Sequence, residues 1–287
     1  MNQFVSLTFE GIANGAVYAA LGLSLVIVYQ ATRVVNFAQP ALALIAAYTA
    51  HTVIRATGSY WLGFASAVAA GTLLGVLTER LLLRRVQDRS PLNAVILTLG
   101  LLLALRGLAG MVWGNLQHSF PPPMSFRDLE AVPISPEELF ALASVALVAA
   151  ALFVLHRFTP LGLRMRAAAL RPESARLSGV RVGLVLTAGW GIASAIGALA
   201  GMLAVPPLLS PTVLDAVFVY GIAAAVLGGL DNPFGALAGG LVIGVGLSYV
   251  SGYVGSELTT LAALAILVVV LSLRPAGLFS RATVRKV

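Results

Sequence analysis

The chain has 287 residues, of which 59% are hydrophobic and only 10% charged, and its mean hydropathy is +0.95. That balance excludes a water-soluble domain of this length and marks a polytopic membrane protein. The net charge of +7 is gathered at a few turns, so it reports membrane topology rather than nucleic-acid binding, and the absence of cysteine excludes disulfides, thiolate catalysis and thiolate metal sites.

Residues 2–10 read as a short polar start, and the first eight residues lack the Lys or Arg of a cleavable signal peptide. Residues 11–29 form the first apolar span, long enough at about 1.5 Å per residue to cross most of a core of about 30 Å. Arg33 ends it. Asn36-Phe37-Ala38-Gln39-Pro40 reads as a turn or broken helix at the basic side of the bilayer, leading into a second span, 41–54, tucked among other helices. The third span, 61–83, has Tyr60 and Trp61 as an interfacial anchor at one end and Glu79, Arg80, Arg84 and Arg85 at the other. Residues 92–113 follow as the fourth span and contain Arg106, an ionisable group that faces a partner or a wet cavity unless it snorkels to the interface. An outer loop of about 114–136, with Pro121-Pro122-Pro123, Asp128 and Glu130, precedes a fifth span, 137–156.

Residues 157–183 are the one long polar interruption, carrying Arg157, Arg164, Arg166, Arg171, Arg176 and Arg181. Each Arg costs roughly 2.5–3.5 kcal/mol at mid-membrane, so the segment lies in water. Thr159 before Pro160 starts a helix over 161–170; Pro172 ends it and opens a second one, with Glu173 at its positive end and Gly179 as left-handed terminator. Leu163, Ala167 and Leu170 stand at i, i+4 and i+7, an apolar stripe suited to docking a partner.

The sixth span, 183–205, stops at Pro206-Pro207, and a shorter seventh, 215–230, begins at Asp215, which caps it or lines an outer mouth. A turn at Asp231-Asn232-Pro233 leads to spans 234–253 and 258–273 and a basic tail. The segments around Pro40 and between Pro206 and Asp215 suit half-spanning helices, which in matching places of two halves mark a transport pathway. The expected fold is therefore an all-α membrane bundle of about eight to ten helices in a single domain, 1–287. Arginine asymmetry places the polar segment and the C-terminus in the cytoplasm of a multi-pass plasma-membrane protein. Glycines four residues apart, Gly235 with Gly239 and Gly240 with Gly244, predict close helix packing.

Enzyme chemistry finds no support. His51, His118 and His156 sit at different interfaces, no nucleophile motif occurs, and Lys286 is the only lysine, so no phosphate-cradling GxxxxGK[ST] loop exists. No catalytic, cofactor or metal residue is expected. The alternative of an ion-coupled secondary transporter would want carboxylates or histidines within spans, whereas Asp215 and Glu257 stand at span edges.

The chain resembles the LivH-type permease subunits of branched-chain amino acid ABC importers. The likeness is carried by residues 11–20 with Asn36-Phe37-Ala38, by Glu79-Arg80-Leu81, by Arg164-Met165-Arg166-Ala167 with Pro172-Glu173-Ser174-Ala175-Arg176-Leu177-Ser178-Gly179-Val180, and by Ala224-Ala225-Val226-Leu227-Gly228-Gly229-Leu230 and Arg274-Pro275-Ala276-Gly277-Leu278-Phe279. It implies two cytoplasmic ATPases, a second, LivM-like permease and an external solute-binding protein, with alternating access and no covalent chemistry on this chain. It also implies an ATPase-coupling loop built from Arg164, Arg166, Ala167, Glu173, Ala175, Arg176, Leu177 and Gly179. Asn36, Gln39, Arg106 and Asp215 are the candidate pathway residues. Where the family commonly has Asn-Phe-Ala-His-Gly-Glu, this chain has Asn36-Phe37-Ala38-Gln39-Pro40-Ala41, and relatives also carry urea, amides and aromatic acids.

Overall fold

A computed structural model of the chain describes residues 3–86, 90–123, 135–274 and 277–279. The readings placed on Asp128, Glu130, Pro275-Ala276 and the basic tail lie outside them.

Eleven helices are described: α1 Gln3–Thr32, α2 Gln39–Thr57, α3 Tyr60–Leu77, α4 Pro91–Trp113, α5 Pro136–Phe158, α6 Pro160–Leu170, α7 Pro172–Leu177, α8 Val182–Ala204, α9 Leu214–Gly228, α10 Pro233–Tyr253 and α11 Thr259–Leu273. A π-helical turn, Thr78–Leu82, and a 3-10 turn, Leu83–Arg85, prolong α3. Among the described residues seven helices are long and apolar enough to cross a membrane, namely α1, α3, α4, α5, α8, α10 and α11, and the shorter α9 is equally apolar. With the buried α2 this agrees with the expected bundle. Two short strands, β1 His118–Ser119 and β2 Leu208–Leu209, pair antiparallel with His118 opposite Leu209.

The layering follows from side-chain size. α1 and α8 are buried along most of their length and form the axis, whereas α4, α5 and α11 turn most of their apolar side chains outward, as lipid-facing helices do. Lipid supplies no hydrophobic drive between helices, so contact depends on close backbone approach. α1 against α10 is the most extensive helix contact, and it is built from glycine: Gly240 and Gly244 lie against the backbones of Ala19 and Gly15, and Gly11 against Val245 and Gly244. Gly235 and Gly239 perform the same role toward Gly228 and Ala224 of α9.

α1 begins earlier than the polar residues suggested. Its first turns are held by α10: Gln3 Nε2 donates to Gly252 O at 3.3 Å, the Thr8 and Tyr249 hydroxyls are 2.8 Å apart, and Phe4 stacks on Tyr249 at 5.3 Å. Arg33, in the left-handed region with φ 58°, ends α1, pairs with Asp231 in the α9–α10 turn, and lies 5.7 Å over the Tyr29 ring. The end of the bundle carrying Arg33, Arg84 and α6–α7 is called the basic end below.

Candidate functional site

The polar interruption folds as a knob of two short helices. The Thr159 hydroxyl accepts from Gly162 N at 3.2 Å and donates to Leu155 O at 2.6 Å, fixing the corner between α5 and α6. Pro160 and Pro172 each occupy a first helical turn. After α7 the chain turns through Gly179 at φ +80°, with Val180 N bonded to Ala175 O at 3.0 Å, and enters α8. Gly162, Met165, Ala168 and Ala175 are buried and anchor the knob to the bundle. Arg164, Arg166, Glu173, Arg176, Leu177 and Gly179 are exposed, and Ala175 belongs to the anchor. The predicted stripe is corrected in one respect: Ala167 packs inward against the core. The exposed apolar row is instead Leu163, Leu170 and Leu177, at 62%, 79% and 92% exposure.

Sequence reasoning missed the bracket that ties this knob to α3. Glu79 is not an interfacial residue but is 1% exposed, because the π-helical turn swings it toward α8. Arg84 grips it through Nε at 3.1 Å and Nη2 at 3.0 Å, and the same Nη2 donates to Gly183 O at 3.0 Å and Thr187 Oγ1 at 2.9 Å. A glutamate just before an arginine cluster at a span end was the available signal. The first turn of α8, which follows directly from the knob, is thereby clamped to the end of α3.

The four candidate pathway residues form two separate polar clusters. Asn36 and Gln39 are fully buried: Asn36 Nδ2 donates to Gln39 Oε1 at 2.9 Å, Asn36 Oδ1 accepts from Ala38 N at 3.0 Å, and Gln39 Nε2 donates to Ala193 O at 3.3 Å. Ala193 lies roughly 17 Å along α8 at about 1.5 Å per residue, so α2 starts about halfway into the bundle. This agrees with the broken, half-spanning reading of the Pro40 segment and corrects only its placement at the basic side of the bilayer. Arg106 pairs with Asp215 and donates through Nε to Pro211 O at 3.2 Å, so Asp215 serves as the partner of Arg106 and not as the helix cap, a position taken by Val213. Phe37 and Phe218, with ring centres 6.2 Å apart, link the two clusters.

Two cavities enter the bundle from opposite ends. One of about 580 Å³ at the basic end is walled by Ile27, Met165, Val185 and Leu186 and rimmed by Gln30, Arg33 and Asp231. The other, of about 430 Å³, is walled by Val17, Met202 and Val217 with Glu10, Asn14 and Glu138 at its rim. Along α1 the buried Leu21 and Leu25 lie between the residues that line the two cavities. Among the described residues no group of three His, Asp or Glu side chains is placed to hold a metal. The histidines are less scattered than predicted: His51 and His118 meet at 5.2 Å between ring centres, with His118 Nε2 2.9 Å from Trp113 O.

A bundle of crossing helices with one short, buried helix starting inside it, cavities at both ends and a capped basic knob defines a membrane transport protein. The sequence profile of the family described as "Branched-chain amino acid transport system / permease component" matches residues 7–271, and the chain belongs to that family. Its relatives include the high-affinity branched-chain amino acid transport system permease protein LivH of Salmonella typhimurium, 26% identical over 99% of this chain and 98% of the relative. The probable branched-chain amino acid transport permease protein LivH of Methanocaldococcus jannaschii is 27% identical over 86% and 81%. BraD of Pseudomonas aeruginosa is 24% identical over 99% and 98%. In fold the chain is similar to a chain of PsaBC from Streptococcus pneumoniae in complex with Fab, with a TM-score of 0.52, 12% identity, and 94% and 91% of the two chains covered.

Proposed function

We propose that this chain is the permease subunit of an ATP-driven importer of branched-chain amino acids, working beside a second permease, with ATPases docked at the basic end and a solute-binding protein at the other. The observation that carries the coupling part is the exposed row Leu163, Leu170 and Leu177 on helices anchored by Met165, Ala168 and Ala175. An apolar row at a water-facing knob is stabilised only when a partner covers it. Arg164, Glu173 and Arg176 are exposed on the same two helices, Arg166 faces the cavities at the basic end, Ala167 packs inward and Gly179 turns the chain after them. The arginine asymmetry supports a cytoplasmic side for this end of an inner-membrane protein, with the C-terminus on the same side. The substrate class follows from the permease family and its relatives.

In this reading closure of the ATPases pushes the knob. The Glu79–Arg84–Thr187 bracket passes the push to α3 and α8, and the two cavities open in alternation. Asn36, Gln39, Arg106 and Asp215 hold the helix breaks that accommodate the change.

Tagged chain in mild detergent tests this directly. Wild type is expected to bring down a P-loop ATPase, and a Leu170→Glu, Leu177→Glu variant that elutes as the same monodisperse peak is expected to lose it. A folded wild type that captures no ATPase, or leucine uptake by reconstituted vesicles that runs on an ion gradient without ATP, would overturn the reading.

A further inference from the structure

A third cavity, of about 300 Å³, is a crevice between α1, α5 and α10 at the basic end. Its wall is hydrocarbon: Leu23, Phe153, Phe234 and Leu237, with Phe153 and Phe234 edge to face at 5.8 Å between ring centres. His156, Arg157 and Arg166 also line it, and Gln30, His156 and Arg166 are shared with the larger cavity at the basic end. Neither arginine has a carboxylate within ion-pair distance among the described residues, and His156 uses only Nδ1, 3.0 Å from Leu152 O.

The outer side of the crevice belongs to the lipid-facing surface. Phe153, Val154 and Phe158 on α5 are 47%, 51% and 71% exposed, and Arg157 lies in the last turn of that helix, where the chain leaves the apolar layer. An apolar slot beside the exposed apolar face of α5, lined by two cations as well, matches an amphiphile with a negative head and a hydrocarbon tail. Basic pockets between membrane helices on such a surface hold anionic headgroups, each cation contributing about 1 kcal/mol. A protein segment filling the same slot would need carboxylates at its top to meet both guanidinium groups.

We infer that this crevice is a binding site for one anionic phospholipid, whose phosphate is held by Arg157, Arg166 and His156 and whose acyl chain lies along Phe153, Phe234 and Leu237. Because Arg166 belongs to α6, the lipid would join the root of the knob to α5 and α10. The inference does not depend on the transported solute.

Native mass spectrometry of the purified full chain in detergent, with dioleoyl-phosphatidylglycerol, dioleoyl-phosphatidylcholine or inorganic phosphate added, tests it. Phosphatidylglycerol should be retained over phosphatidylcholine by roughly tenfold or more, the scale expected from two cations near the membrane surface. Arg157→Gln with Arg166→Gln should abolish that preference, and Ala149→Trp, which fills the apolar slot, should remove both lipids. Arg171→Gln with Arg181→Gln, which removes the same charge from exposed positions outside the crevice, should leave the preference intact. Equal retention of the two lipids, an unchanged preference in the crevice variant, an equal loss in the control variant, or displacement of the lipid by inorganic phosphate would each overturn the site.

Discussion

Thr187 on α8 donates its hydroxyl hydrogen to Glu79 at the end of α3 over 2.6 Å, and Arg84 donates to the same carboxylate oxygen at 3.0 Å while also reaching the Thr187 hydroxyl. The two partners are unequal, since Glu79 is buried while the Arg84 side chain is 45% exposed. Removing Arg84 leaves the buried carboxylate without its cation, a loss below the roughly 3–5 kcal/mol of a fully buried pair because Arg84 is half in water. Removing the charge of Glu79 leaves an arginine that can turn to water. Arg84→Ala is therefore expected to lower the melting temperature in detergent more than Glu79→Gln does, and equal melting of the two would contradict this account of the bracket.

The Arg106–Asp215 pair carries the opposite asymmetry. Arg106 sits inside an apolar span, so Asp215→Ala leaves a cation whose placement there costs up to roughly 2.5–3.5 kcal/mol, whereas Arg106→Leu leaves a carboxylate that is 51% exposed. Thermal melts should rank Asp215→Ala below Arg106→Leu, and the double variant should recover part of the loss. Strict additivity would mean the two groups do not interact.

On α10 three glycines separate packing from propensity. A side chain at Gly240 or Gly244 meets the backbone of α1, while Gly246 faces open space. Gly244→Val is expected to destabilise by about 1–3 kcal/mol or more through overpacking. Gly246→Ala should be neutral or slightly stabilising, by at most about 1 kcal/mol. Detergent stability of both variants, measured by loss of the monodisperse peak on heating, checks the contrast.

Gly179 has no atom within 4 Å of where a Cβ would stand, so its requirement is purely conformational, at φ +80°. Gly179→Ala should cost about 1–2 kcal/mol of local strain and reduce ATP-dependent leucine uptake, while Gly179→Asn, which tolerates that conformation better, should retain more of it. Identical uptake by the two variants would show that the left-handed turn does not set the knob's geometry.

Much of the bundle was legible because apolar runs, prolines and arginine clusters punctuate the chain directly. The caps of α6 at Thr159 and the left-handed turn at Gly179 follow from local chemistry, and both stand where that chemistry puts them. The first turns of α1 were hidden because Gln3, Thr8 and Glu10 look polar, and only contact with α10 explains their helix. Glu79 was hidden for the reverse reason: its position beside arginines reads as surface until a π-helical turn rotates it inward. Arg106 and Asp215 each stood out alone, but nothing in sequence pairs two residues 109 positions apart. The knob's exposed leucines were legible at Leu163 and Leu170, while Leu177, on the second short helix, falls outside the i, i+4, i+7 spacing of the first.

In the middle of the seam between α1 and α10, Gly15 and Ala19 lie directly against Gly240 and Gly244, with no long side chain between these four positions. Two rods joined backbone to backbone in this way turn as one piece, giving the molecule a stiff keel. The deformation that lets solute through is then expected on the flank of α1 that faces the cavity at the basic end, which is lined by the flexible or branched side chains of Met165, Val185 and Leu186.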